Sequence, residues 1–285
     1  MQPLNYITVI GAGTMGSGIA YLNALHGYKT FLYDVVPAQL EHAQNIIHKI
    51  ITTAEEKGKL TSEQKSLVIE NLAYIQTLEH SIKQSDIIIE AIVEDLYVKK
   101  RLFQELELSA SPNTIFATNT SSLSLTELAA SCTHPKRVIG LHFFNPPHLM
   151  KLLEIVQAQQ TSKETLYAAL SYAQSIGKDP IVVHDSPGFA SSRLGIALGL
   201  EAIRMFEEGV ASAADIDKAM ELGYRHPMGP LKLTDLVGLD VRLSIAEYLF
   251  KELGERYRPP RLLKKMVLAG KLGKKSGEGF YTWDG

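Results

Sequence analysis

The chain has 285 residues, enough for two domains with a core each; 45% of its residues are hydrophobic and 21% are charged. This composition excludes a disordered or fibrous protein. The 29 Lys and Arg residues against 31 Asp and Glu residues leave a formal net charge of −2, so no global positive field is available to hold nucleic acid or an anionic membrane.

The cysteine content and the N-terminal residues bear on cellular location. The single cysteine, Cys132, cannot form an internal disulfide, which fits a reducing, cytoplasmic compartment. The first residues lead directly into an apolar strand, without the charged and apolar regions of a signal peptide. The longest apolar run, Ile87–Val93, is interrupted by Glu90 and is far shorter than the roughly 20 residues of a membrane helix. We therefore expect a cytoplasmic protein with no membrane segment.

Short β-branched runs alternate with helical periodicity from residue 5 to about residue 185. Such alternation predicts a mostly parallel sheet with helices on both faces. The stretch 37–70 is long for one crossover and predicts a protruding pair of helices, with Thr61 or Ser62 as the N-cap of the second. The predicted strands are Tyr6–Ile10, Thr30–Tyr33, Leu72–Ile75, Ile87–Val93, Thr114–Ala117, Val138–Leu141, Leu152–Val156 and Pro180–Val183.

The pattern changes at Pro187-Gly188, after which helical periodicity prevails almost to the end of the chain. Residues 189–208 are apolar on nearly all sides, which predicts a buried helix. We therefore predict an α/β domain over 1–185 and an all-helical domain over 186–285. Further helices are predicted over 212–222, 231–253 and 259–269.

A glycine pattern follows the first predicted strand and opens the first helix. Its glycines permit a tight turn, close approach of a pyrophosphate and close helix–strand packing, while the helix N-terminus offers free N–H groups. Asp34 ends the next strand, where a carboxylate accepts hydrogen bonds from a ribose and repels a 2′-phosphate. The pattern predicts a Rossmann-type doubly wound domain that binds NAD rather than NADP. A plain tight turn, with Asp34 capping the following helix, is the alternative. The residues of the pattern are Gly11, Ala12, Gly13, Thr14, Met15 and Gly16.

Three polar segments follow later strands, at the sheet edge where doubly wound folds bind ligands. They carry Asn119 and Ser121, then His142, then Glu154. Transfer of a hydride from an alcohol to a nicotinamide requires a base, and a histidine oriented by a carboxylate can take the hydroxyl proton. A nearby hydroxyl can hold the substrate oxygen. A structural, hydrogen-bonded histidine is the alternative for His142 taken alone.

Seven motifs stand along the chain in this order: Gly11–Gly16, Ala91–Asp95, Asn119–Leu123, Gly140–Pro146, Asp185–Phe189, His226–Pro230 and Gly273–Tyr281. Taken together, these motifs resemble those of the L-3-hydroxyacyl-CoA dehydrogenases. The resemblance covers essentially the whole chain.

The resemblance implies roles for individual positions. His142 matches the catalytic base, Glu154 its carboxylate partner, and Ser121 a serine that touches both substrate and nicotinamide. One position departs from the family: Ser192 stands where an Asn is usual, so its contact with the substrate oxygen is expected to be modest or water-mediated. Positions that match the NAD site are Glu94, Lys99, Asn145 and Lys275, and Lys57 matches a lysine near the CoA phosphates.

The resemblance also implies a function. We expect NAD-dependent interconversion of short-chain (S)-3-hydroxyacyl-CoA and 3-ketoacyl-CoA, with the acyl-CoA in the cleft between the domains and a homodimer formed through the helical domain. The histidines show no metal-ligand spacing, so no metal is expected. Two alternatives are an NAD-dependent dehydrogenase of a free hydroxy acid or sugar acid on the same fold, and a non-catalytic structural relative.

Overall fold

The computed structural model describes residues 4–283, and the chain divides into two compact units after Asp185. The first unit contains an eight-stranded sheet with helices, and the second is helical, which confirms the predicted fold class. Among the described residues, none of the helices combines the length and the apolar character that crossing a bilayer requires.

The sheet of the first unit has the strand order β3-β2-β1-β4-β5-β6-β7-β8, and its neighbours are parallel except for the antiparallel pair β6 and β7. The strands are β1 Tyr6–Ile10, β2 Lys29–Tyr33, β3 Leu72–Ile75, β4 Ile87–Glu90, β5 Ile115–Thr118, β6 Val138–Phe143, β7 Leu152–Gln157 and β8 Asp179–His184. The helices are α1 Thr14–Leu25, α2 Pro37–Glu56, α3 Ser62–Asn71, α4 Glu79–Gln84, α5 Leu96–Glu107, α6 Leu125–Ala130 and α7 Lys163–Ser175.

The central strands are buried along their whole length, as expected of parallel strands covered on both faces. The predicted strand Ile87–Val93 is too long, because β4 ends at Glu90. The Glu90 carboxylate accepts a hydrogen bond from the N–H of Ile92, just beyond the strand. The predicted helix pair over 37–70 is confirmed. Thr61 caps α3 in a reciprocal capping box with Gln64.

The second unit packs five helices around an apolar core. Its helices are α8 Ser191–Glu207, α9 Ala213–Gly223, α10 Pro230–Val237, α11 Leu239–Leu253 and α12 Arg261–Leu268. Two predictions are wrong here. The helix predicted over 231–253 is two helices, because Gly238 at φ +104° interrupts the helical backbone. The helix predicted to be buried, α8, is amphipathic, with Leu194 72% exposed while Leu200 and Ile203 lie in the core.

Two buried aspartates join the end of the second unit to its helices. Asp217 on α9 accepts hydrogen bonds from the N–H of Leu231 and from the hydroxyl of Tyr281, both at 2.7 Å. Asp235 on α10 accepts from the N–H groups of Phe280 and Tyr281 and from the Trp283 indole, each at 2.9 Å. Since each carboxylate makes three charge-assisted bonds, the segment after α12 is fixed to α9 and α10.

Candidate active site

The glycine turn between β1 and α1 is shaped by close backbone contacts. Gly11 has φ +103°, and a Cβ built there would lie 2.5 Å from the carbonyl oxygen of Ala91. A Cβ on Gly16 would lie 1.7 Å from the carbonyl oxygen of Gly11. Gly13 has no such neighbour within 4 Å, so its side of the turn is open. Only glycine is therefore accommodated at Gly11 and Gly16, and a ligand can approach the backbone at Gly13.

The N-terminus of α1 is suited to an anion. Gly13 is the N-cap, and neither a capping side chain nor an acidic residue of the first turn occupies the helix end. The N–H groups at Thr14, Met15 and Gly16 belong to the first turn, which has no intrahelical acceptors. These N–H groups and the helix dipole can bind the phosphates of a dinucleotide.

Asp34 fixes the turn to the end of β2. One carboxylate oxygen accepts from the N–H of Ala12 at 2.8 Å and the other from the N–H of Val36 at 2.9 Å. A cavity of about 380 Å³ opens beside this carboxylate. Apolar and polar side chains line it, including Val35, Leu78, Tyr97 and Arg101. An adenosine could be held there, with its ribose at Asp34.

His142 and Glu154 form a buried pair on the two antiparallel strands. They are directly opposed in the register of β6 and β7, and His142 Nδ1 lies 2.7 Å from Glu154 Oε2. The His142 ring also packs against Phe144 at 4.6 Å between centroids. With Nδ1 directed to a carboxylate, the imidazole presents Nε2 for proton exchange, and Glu154 can stabilise the imidazolium.

The loop after β5 carries Asn119 and Ser121 and is hydrogen-bonded to β6 and to the segment that follows β4. The Asn119 amide oxygen accepts from the N–H of Phe143 on β6 at 2.9 Å. The N–H of Ser121 donates to Glu94 Oε1, beyond β4, at 3.0 Å. The structure thus brings the Ser121 loop and the His142 strand together at one edge of the sheet.

A buried charge cluster lies behind Ser121 and includes a residue that sequence reasoning missed. Lys99 Nζ donates to Glu90 Oε1 at 2.7 Å and pairs with Glu94 Oε2 at 3.0 Å. Thr118 donates to the other oxygen of Glu90 at 2.6 Å. Burial alone would lower the pKa of Lys99, but the two carboxylates outweigh it and raise that pKa. The sequence could have indicated Glu90, because it is a single carboxylate at the end of a strand that is otherwise apolar.

Asn145 is exposed on the loop between β6 and β7. This loop is held by the buried Lys178, whose ammonium donates to the carbonyl of Pro147 at 2.5 Å and to that of Met150 at 2.7 Å. Burial lowers the pKa of Lys178. Lys178 thus limits the positions that Asn145 can adopt.

The remaining predicted residues lie on the helical excursion or in the second unit. Lys57 is exposed at the end of α2, on the helical excursion. Ser192 is half-buried in the first turn of α8, and Lys275 pairs with Asp240 at 2.6 Å. Within residues 4–283, no group of three or more His, Cys, Asp or Glu side chains could hold a metal ion.

Comparisons with known proteins match both units. Residues 6–186 match the family described as 3-hydroxyacyl-CoA dehydrogenase, NAD binding domain, and residues 188–283 match the C-terminal domain of the same enzymes. A probable 3-hydroxybutyryl-CoA dehydrogenase of Bacillus subtilis is 45% identical, with 99% of this chain and 98% of that protein covered. The 3-hydroxybutyryl-CoA dehydrogenase of Clostridioides difficile is 43% identical, with 98% and 99% covered.

A solved structure agrees with these matches. The crystal structure of (S)-3-hydroxybutyryl-CoA dehydrogenase from Ralstonia eutropha superposes with a TM-score of 0.95 at 36% identity, with 99% of this chain and 100% of that chain covered. The resemblance inferred from the sequence motifs is therefore confirmed. The chain belongs to the 3-hydroxyacyl-CoA dehydrogenase family, carries its NAD-binding domain, and is an NAD-dependent oxidoreductase.

Proposed function

We propose that the protein interconverts short-chain (S)-3-hydroxyacyl-CoA and 3-ketoacyl-CoA with NAD. The observation that carries this proposal is the buried pair of His142 and Glu154, 2.7 Å apart, on the same sheet as the glycine turn. The relatives named 3-hydroxybutyryl-CoA dehydrogenase support a four-carbon acyl group.

The glycine turn and Asp34 fit the cofactor. The open side of Gly13 admits the pyrophosphate, the first turn of α1 binds it, and Asp34 accepts from the ribose hydroxyls. When bound, the nicotinamide accepts or donates the hydride. We assign Glu94, Lys99, Asn119 and Asn145 to the nicotinamide side, because they follow β4, β5 and β6, whereas Asp34 follows β2.

The acid–base step falls to His142. In the oxidation its ring takes the proton of the substrate hydroxyl, and Glu154 stabilises the positive charge that results. The hydroxyl of Ser121 donates a hydrogen bond to the same substrate oxygen. Glu94 fixes the Ser121 backbone from behind, so the hydroxyl is positioned before the substrate binds.

The function is tested by comparing substrates. With NADH we expect reduction of acetoacetyl-CoA, and with NAD we expect no comparable oxidation of free 3-hydroxybutyrate or of sugar acids, measured at 340 nm. Turnover of free hydroxy acids alone would favour the alternative dehydrogenase. Binding of NADH without turnover of any of these compounds would favour a non-catalytic relative.

Cofactor choice is a second expected result. Because Asp34 would repel a 2′-phosphate, kcat/KM with NADH should exceed that with NADPH by at least about tenfold, or about 1.4 kcal/mol. The ratio should shrink in Asp34→Asn, whose neutral amide removes the repulsion. Equal efficiencies in the unmodified enzyme would contradict the assignment of Asp34.

We propose a homodimer formed through the second unit. Large apolar side chains are exposed on four of its helices: Leu194, Leu222, Leu236 and Val241. Sedimentation should give twice the chain mass of 31.5 kDa, and Leu222→Asp should weaken the dimer. Leu108→Asp, a change at an 86% exposed leucine of the first unit, is the matched control. A monomeric unmodified enzyme would contradict this interface. So would a dimer that Leu108→Asp weakens and Leu222→Asp does not.

Other assignments stay predictions. They are the roles of Lys57 at the CoA phosphates, of Lys275 at the cofactor and of Ser192 at the substrate, together with the acyl-CoA site between the domains. The cytoplasmic location also stays a prediction, since it rests on a single cysteine, Cys132, that cannot form an internal disulfide.

A further inference from the structure

Side-chain oxygens hold the backbone of the loop that carries Ser121. Four consecutive N–H groups, those of residues 120–123, donate to such oxygens. The first two donate to Thr118 Oγ1 and to Glu94 Oε1, at 3.3 and 3.0 Å. The other two both donate to the hydroxyl oxygen of Thr120, at 3.3 and 3.0 Å. The conformation of the loop therefore depends on three side chains, and Thr120 makes half of the bonds.

The Thr120 hydroxyl is buried and uses both its donor and its acceptor capacity. The residue is 1% exposed. Its hydroxyl donates to Glu94 Oε1 at 2.5 Å, the same oxygen that accepts from the N–H of Ser121. A hydroxyl offers one donor and two acceptor positions, so the three bonds of Thr120 occupy all of them. Ser121 stands between Thr120 and the two N–H groups that Thr120 accepts from, so the backbone is fixed on both sides of it.

Glu94, to which Thr120 donates, is itself held in the interior. Its other carboxylate oxygen pairs with the buried Lys99 at 3.0 Å, and Lys99 donates to the buried Glu90 at 2.7 Å. A buried charged network of this kind is rigid, because each group would lose a strong bond by turning away. The bonds described here use none of the Ser121 side chain, so they fix its position and leave its hydroxyl available to a ligand.

We propose that Thr120 is a positioning residue for the reaction, and that its hydroxyl sets the turn that directs Ser121 to the substrate oxygen. This inference rests on the proposed function, in which the Ser121 hydroxyl donates to that oxygen. Without the Thr120 hydroxyl, two N–H groups lose their acceptor and the turn is free to open. A displacement of about 1 Å at a group that contacts the reacting atoms can cost about 10² in rate.

The test compares two variants of Thr120. Thr120→Val keeps the shape and removes the hydroxyl, whereas Thr120→Ser keeps the hydroxyl and removes the methyl group. In the reduction of acetoacetyl-CoA, we expect kcat to fall about tenfold or more in Thr120→Val and to stay within about threefold in Thr120→Ser. The Kd of NADH should be unchanged, because the glycine turn and Asp34 are untouched. If Thr120→Val does not fold, Thr120→Ala removes the hydroxyl without added bulk and takes its place.

Thr114→Val is the matched control. Thr114 is also fully buried, lies at the opposite end of β5 from the Ser121 loop, and donates to the carbonyl of Ser85 at 2.7 Å. Both Thr→Val changes remove a buried hydrogen bond and should lower the melting temperature, but only Thr120→Val should lower kcat. An equal loss of kcat in both would mean that stability limits the rate, and would overturn the proposal.

A double-mutant cycle with Ser121→Ala separates positioning from a general disturbance of the site. If Thr120 acts by placing the Ser121 hydroxyl, Thr120→Val should add almost nothing once that hydroxyl is absent. The kcat of the double variant should then lie within about threefold of that of Ser121→Ala. Losses that multiply would overturn the proposal. A loss in Thr120→Ser as large as that in Thr120→Val would do the same, because the methyl group would then be the part that matters.

These outcomes are distinct from a failure of the proposed function. If the unmodified enzyme does not reduce acetoacetyl-CoA, the proposed function fails and the role of Thr120 fails with it. If the unmodified enzyme reduces acetoacetyl-CoA and Thr120→Val does so at the same rate, the proposed function stands and only the positioning role is lost.

Discussion

Replacing His142 by Gln is expected to lower kcat by about 10²–10⁴, the range typical of general acid–base catalysis. Gln is close in size and keeps a polar group against Glu154, but it cannot take up a proton at neutral pH. The measurement is steady-state reduction of acetoacetyl-CoA, with NADH binding followed separately by fluorescence. Binding of NADH should be unchanged, because the glycine turn and Asp34 are untouched.

Glu154→Gln is the companion variant. Gln can still accept from Nδ1 but carries no charge to stabilise the imidazolium, so kcat should fall in the same direction as in His142→Gln. A kcat in His142→Gln within about fivefold of the unmodified enzyme would mean that another group takes the proton. An undiminished rate in Glu154→Gln would leave that carboxylate with a structural role only.

Lys99→Met is expected to lower the free energy of unfolding by about 3–5 kcal/mol, the loss typical of breaking a buried ion pair. The change leaves the Glu90 carboxylate in the core with no cation, since Lys99 is the cation that contacts it. Urea denaturation followed by circular dichroism measures the loss. The adjacent Lys100→Met is the matched control, because Lys100 pairs with a largely exposed Glu127 and its loss should cost at most about 1 kcal/mol.

A double variant tests the cause of that loss. If the uncompensated charge is responsible, adding Glu90→Gln to Lys99→Met should restore part of the stability, because no buried charge then remains without a partner. An additive loss in the double variant would show that packing of the lysine stem, rather than its charge, is what matters. Equal losses in Lys99→Met and Lys100→Met would contradict the buried pair altogether.

Local patterns in the sequence sufficed for most of the fold. The strands around the glycine turn were predictable because their β-branched runs are bounded by turn residues. The N-cap of α3 was predicted to be Thr61 or Ser62, and the structure shows that it is Thr61. His142 and Glu154 were identified through the motifs around them. Their proximity depends on how β6 and β7 pair, which periodicity alone does not specify.

The features that the sequence did not predict involve groups far apart in the chain or a single backbone angle. Glu90 looked like an interruption of an apolar run, because Lys99 and Thr118, which bind it, come from a helix and a neighbouring strand. Gly238 looked like one residue of a long helix, since a glycine inside a periodic pattern does not reveal its φ angle. Asp235 binds a segment more than 40 residues later, which no local pattern contains.

The opposed positions of His142 and Glu154 in β6 and β7 have a consequence for what the chain can tolerate. A slip of one residue in β7 would turn the Glu154 side chain to the other face of the sheet, since successive side chains alternate. Strand pairing aligns the two residues, whereas the loop that joins the strands is held separately by the bonds from Lys178. Insertions should therefore be absent from both strands, so that the base and its carboxylate stay opposed to each other.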